Sequence, residues 1–124
     1  MIVAHRLYIT ELGRPARIVD LISTMTVGRD SDNDIVLAEI TVSRCHALLL
    51  MQQGQVALVD LDSTNGSFVN GVQARPDEAW RLEDGDAIRL GQVVMRYHRH
   101  TSAMPARSAP PVPLFAPGFY ASGA

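Results

Sequence analysis

Three polar clusters interrupt an otherwise apolar, alternating chain: "GRDSDND" at 28 to 34, "ITVSRCH" at 40 to 46 and "DSTNG" at 62 to 66. Between them they hold the guanidiniums of Arg29 and Arg44, the hydroxyls of Ser43 and Thr64, and the side-chain amide of Asn65. That inventory suits a phosphate attached to a peptide. A phosphorylated threonine carries about −1.5 to −2 charges at neutral pH and three acceptor oxygens, so it calls for fixed donors and no carboxylate. A guanidinium fork meets it with paired N–H groups, and small hydroxyls fill in around it. An Asn amide has both a donor and an acceptor, which fits it to clamp the extended main chain beside the phosphate. Taken singly, Arg29 reads as an ordinary surface arginine, and Ser43 or Thr64 as turn residues satisfying nearby backbone donors. The joint pattern is what points to an anion receptor.

Other chemistries fit these residues less well. Asp30, Asp32 and Asp34 imitate the start of a calcium loop, but counting from Asp30 the sixth position is Ile35 where glycine is needed and the twelfth is Thr41 where glutamate is needed. His98 and His100 share a strand face without a third ligand, so a solvated pair is expected and not zinc. Cys45 is expected to be a buried small hydrophobe. Ser63, His46 and Asp62 offer the residue types of a hydrolytic triad but no nucleophile-elbow motif. Trp80 is expected to fill core beside Leu82.

Short apolar runs position the clusters: residues 6–12, 16–22, 25–27, 34–37, 45–51, 55–61, 67–69, 79–82, 86–90 and 93–99. Gly13-Arg14-Pro15, Gln53-Gly54, Asn70-Gly71, Asp84-Gly85 and Gly91 separate them at intervals too short for helices. About ten or eleven short strands predict an all-β antiparallel sandwich or barrel. In a sandwich the loops gather at the two ends, so clusters joining strands of alternating direction converge at one end. Two Asn-Gly pairs, Asn65-Gly66 and Asn70-Gly71, stand five residues apart although one suffices for a tight hairpin.

The chain has 124 residues, 47% of them hydrophobic, with a net charge of −2, which predicts one domain with its own core. The near-neutral balance argues against a nucleic-acid partner. One cysteine excludes an internal disulfide framework, and with no apolar run long enough for a membrane span the chain reads as cytoplasmic. Residues 1–100 form the expected domain. Residues 101–124 hold five of the seven prolines and a single charge, Arg107, and are expected to be a flexible tail. Leu114, Phe115, Phe119 and Tyr120 add apolar mass to that tail, and Thr101 at its start is a candidate phosphorylation site able to occupy the receptor of its own or a neighbouring molecule.

Gly28-Arg29, Ser43-Arg44-Cys45-His46-Ala47, Asp62-Ser63-Thr64-Asn65-Gly66 and Val69-Asn70-Gly71 together resemble the forkhead-associated (FHA) domain in order and spacing, and the resemblance spans residues 7 to 99. It implies an eleven-stranded β-sandwich that docks phosphothreonine-containing proteins, such as a Ser/Thr kinase or its substrate, without a cofactor, a metal or catalysis. It assigns Arg29 and Ser43 as the principal phosphate contacts, Arg44 and Thr64 as auxiliary ones, and Asn65 as the peptide clamp. Gly28, His46 and Gly66 become structural, with His46 holding loops in shape and not acting as a base, and Asn70-Gly71 becomes the ordinary hairpin turn. Flanking-residue preference is set by variable loop positions in such domains, for which Glu39 and Thr41 are candidates. The alternative is a scaffold or oligomerisation domain that uses a sheet face or the tail irrespective of phosphate.

Overall fold

The computed structural model describes residues 2–102, and all but one of its strands fall on the apolar runs above. The elements are β1 (Ile2–Thr10), β2 (Arg17–Leu21), β3 (Met25–Gly28), β4 (Ile35–Val36), β5 (Ala47–Gln52), β6 (Gln55–Asp60), β7 (Ser67–Val69), β8 (Val72–Ala74), β9 (Ala79–Arg81), β10 (Ala87–Leu90) and β11 (Val93–Ser102). Two sheets result, one ordered β2-β1-β11-β10-β7-β8 and the other β4-β3-β5-β6-β9. Leu7 and Ile9 of β1, Ile88 and Leu90 of β10, and Met95 and Tyr97 of β11 turn one face of the first sheet inward. Val27, Leu49 and Leu58 meet them from the second sheet, and period-two burial makes the sandwich.

The sandwich is antiparallel except at one place, where β4 pairs parallel to β3 through Val27↔Ile35 and Gly28↔Val36. The reason lies in the Arg29–Asp34 loop, which carries the chain back down beside β3 before it rises again. Thr26 is the anchor: its backbone N–H donates to Asp34 Oδ2 at 2.9 Å, and Asp34 N–H returns a bond to its Oγ1 at 3.1 Å. The acidic cluster thus serves a turn.

Four expectations need correction. β8, three residues long, follows directly on Asn70-Gly71 and was too short and polar to register as an apolar run. Thr101 does not begin the tail: it pairs with Val3 inside β11. Cys45 is exposed, because β5 starts only at Ala47 and the inward position beside it goes to His46. Trp80 is only partly buried, packed against the core from the edge strand β9. The remaining tail residues named above, including Leu114 and Phe119, lie outside the described residues. Among the described residues no helix is long and apolar enough to cross a membrane.

Candidate functional site

The β3–β4, β4–β5 and β6–β7 loops meet at one end of the sandwich, and hydrogen bonds tie each to the next. Arg29 N–H donates to the Ser43 carbonyl at 3.0 Å and Asp30 N–H to the Arg44 carbonyl at 3.1 Å. Asn33 Nδ2 donates to that same Arg44 carbonyl at 2.7 Å. This close passage requires glycine at 28, since a Cβ there would lie 2.3 Å from the Arg44 oxygen. Thr64 N–H donates to Ser43 Oγ at 2.9 Å, which joins the third loop to the second. Arg29, Ser43 and Thr64 are therefore neighbours although the first and last stand 35 positions apart in the sequence.

These bonds leave a particular set of donors free. Arg29 Nε donates to the Val42 carbonyl at 2.9 Å, fixing the fork while its terminal nitrogens make no hydrogen bond or ion pair among the described residues. Ser43 Oγ is occupied as an acceptor, so its own proton is available to an incoming anion. The Arg44 side chain is exposed and likewise unpaired among the described residues, while its carbonyl does the structural work. Thr64 and Asn65 are exposed beside them. Asn65 Nδ2 donates to the Thr41 carbonyl at 2.8 Å, which orients the amide and leaves its oxygen without a partner among the described residues.

His46 sits beneath, fully buried. Its Nδ1 accepts from Ser43 N–H at 3.0 Å, so the ring proton is on Nε2, which donates to the Gly66 carbonyl at 3.0 Å. One imidazole thereby sets the height of both Ser43 and the Asn65-Gly66 turn. Ser63 Oγ, by contrast, donates to Asp60 Oδ1 at 2.6 Å, so Ser63, His46 and Asp62 form no relay. The first Asn-Gly pair belongs to this binding loop, with Gly66 at φ 84°. The second is the two-residue hairpin turn between β7 and β8, with φ of 51° at Asn70 and 83° at Gly71. Asn70 does more than turn the chain: its Nδ2 donates to Asp86 Oδ1 at 2.9 Å and its Oδ1 accepts from Ala87 N–H at 3.0 Å.

Two residues have a supporting role that the sequence did not assign to them. Asp60, 3% exposed, accepts from Ser63 N–H, Ser63 Oγ and Ser67 Oγ at 3.1, 2.6 and 2.6 Å and so shapes the third loop from inside. Its signal was present, since it falls in phase with the buried Val56 and Leu58 of β6. Thr41 is the other. It donates through N–H and Oγ1 to Glu39 Oε1 at 2.6 and 2.5 Å and accepts Gln92 N–H on Oγ1 at 2.8 Å. Those bonds to Thr41 hold the Glu39 carboxyl below its usual range. Glu39 and Thr41 thus brace the loop that carries Ser43.

Comparison with known proteins agrees with this architecture. The FHA domain family model matches residues 25–91, more than half of the chain. The FHA domain-containing protein FhaA of Mycobacterium tuberculosis is 45% identical over 75 residues, 58% of this chain and 14% of that protein. The oxoglutarate dehydrogenase inhibitor of Corynebacterium glutamicum is 39% identical over 69 residues, 56% of this chain and 46% of that protein. The chain thus spans less than half the length of these relatives. A structure solved in a structural and functional analysis of phosphothreonine-dependent FHA domain interactions superposes with a TM-score of 0.71 at 30% identity, covering 80% of this chain and 99% of the other. With its two-sheet order, its three loops and their spacing, the chain belongs to the FHA domain family.

Proposed function

We propose that this chain docks proteins phosphorylated on threonine, in Ser/Thr kinase signalling, and catalyses no reaction itself. Arg29 and Ser43 contact the phosphate, Arg44 and Thr64 assist, and Asn65 holds the peptide main chain. The observation that carries this reading is the paired state of the Arg29 and Ser43 side chains: each is fixed by one bond to the loops, and each retains donors with no carboxylate to neutralise them. Donors fixed before the ligand arrives cost little to organise on binding. His46 has both ring nitrogens engaged under the loops, which suits a structural role and leaves no free base. A reader of kinase products works where ATP-dependent phosphorylation occurs, which supports a cytoplasmic location.

Isothermal titration with one peptide in phosphothreonine and unmodified forms tests the reading. A micromolar complex is worth about −8 kcal/mol, and loss of charge-assisted bonds worth roughly 1.5 to 3 kcal/mol predicts that Arg29→Ala weakens it about tenfold to a hundredfold. The variant should still fold, since Arg29 is exposed and its loss removes one bond to the Val42 carbonyl. Equal affinity for both peptide forms would instead favour a phosphate-independent scaffold.

A further inference from the structure

The end of the sandwich that carries Arg29 and Ser43 holds a second concentration of positive charge which the proposed phosphate contacts do not use. The β1–β2 loop reaches this end because β1 finishes at Thr10, paired with Val94 just after the Gly91-Gln92 turn. Gln92 is itself bonded to Thr41. Beside this loop lies a cavity of about 420 Å³ lined by Glu11, Arg14, Pro15, Arg17, Val36 and Ala38. Glu11 is 6% exposed. Arg17 Nη2 stands 3.5 Å from its Oε2 and Arg14 Nε stands 4.0 Å from its Oε1, while Arg17 also donates to the Val36 carbonyl.

One buried carboxylate between two guanidiniums leaves a formal charge of +1. The two contacts are longer than hydrogen bonds, and Glu11 Oε1 has no hydrogen-bond partner, so neither fork is locked onto the carboxylate. Glu11 gathers the arginines beside the cavity, and apart from the Arg17 bond to the Val36 carbonyl neither guanidinium makes a hydrogen bond among the described residues. A cationic ligand would meet two like charges there. An anion would meet a pair of forks already collected, with the arginine side chains 57% and 43% exposed and accessible.

We propose that this cavity is a second anion subsite, which takes an acidic side chain, either a carboxylate or a further phosphate, from the same peptide whose phosphothreonine is held at Arg29 and Ser43. The proposal rests on the phosphothreonine reading above. Ala38 lines the cavity and Ser43 lies five positions on. That stretch of chain spans at most about 18 Å, so an extended ligand reaches the cavity within about five residues of its phosphothreonine. Ile40, 87% exposed, stands on the loop between the two sites and offers the ligand an apolar contact on the way.

The test titrates the full chain with a phosphothreonine peptide of neutral flanks. A series then carries Asp, or phosphoserine, at each position from the second to the sixth on either side. At one position or two adjacent ones, Asp should tighten binding about threefold to fivefold and phosphoserine about tenfold. Arg14→Ala should abolish that gain and leave affinity for the neutral-flank peptide unchanged, and Arg14→Lys should restore part of it. A gain absent at every position, or one that survives Arg14→Ala, overturns the subsite while leaving the Arg29 reading intact. No binding of the neutral-flank phosphopeptide by the parent chain would overturn the Arg29 reading, and the subsite with it.

Discussion

Asp60 shows how one buried charge organises an exposed loop. A carboxylate accepts and never donates, and its three bonds here come from one backbone N–H and two hydroxyls. Desolvating a charge is tolerable only with such full pairing. Asp60→Asn changes nothing in shape but turns one acceptor into a donor. Facing Ser63 N–H, the new amide would set donor against donor, and turned the other way it would orphan two hydroxyl protons. The expected loss is about 1 to 3 kcal/mol in urea denaturation, with weaker phosphopeptide binding because Ser63 Oγ also accepts from Gly66 N–H at 3.0 Å. A variant as stable as the parent would show that the β6–β7 loop does not hang on this carboxylate.

At the scale of elements, the β3–β4 and β4–β5 loops work as one unit because Gly28 lets them touch. A methyl group at 28 would meet the Arg44 carbonyl oxygen and Asn33 Nδ2 at 2.3 and 2.7 Å, and the first of these is backbone with little room to move. Gly28→Ala should therefore cost about 1 to 3 kcal/mol, as overpacking does, and it should also displace Ser43 from Arg29. Denaturation midpoints together with phosphopeptide affinity check both effects, and unchanged values would mean that the loops separate freely. The sequence showed much of this arrangement. Period-two alternation marked ten of the strands, and the spacing of Arg29, Ser43 and Asn65 marked the three loops. The parallel β3–β4 pair was invisible because two residues, Ile35 and Val36, carry no register information of their own. β8 was hidden for a similar reason: only Ala74 of its three residues is buried, so no alternation appears. The bracing of Thr41 by Glu39, Asn65 and Gln92 depends on three separate stretches meeting, which no local pattern records.

The molecule as a whole divides its labour between two ends. Its net charge is −2, yet the end with the three loops gathers Arg14, Arg17, Arg29 and Arg44. Toward the other end, Tyr97 is fully buried and its hydroxyl lies 2.6 Å from His5 Nδ1. Burial, with the Arg99 charge second, holds His5 below 6.5, and burial is the main cause that raises Tyr97 above 10. Both directions favour a neutral imidazole that accepts from the phenol. Between the lowered value of His5 and 6.5 the unfolded chain binds more protons than the folded one, so stability falls as pH drops through that window. His5→Gln keeps an acceptor for Tyr97 and cannot titrate. It should flatten this part of the stability profile in urea denaturations run across the window. Tyr97 lies five residue steps along the chain from Gln92, about 17 Å at about 3.3 Å per step, which is roughly twice the screening length of about 8 Å at physiological salt. Phosphopeptide affinity at a fixed pH should consequently stay within about twofold of the parent, since the charge change lies beyond the reach of the binding loops. A His5→Gln chain that retained the parent's pH slope would remove this pair from the account of acid sensitivity, and one that lost peptide affinity would show the two ends to be mechanically coupled through β11.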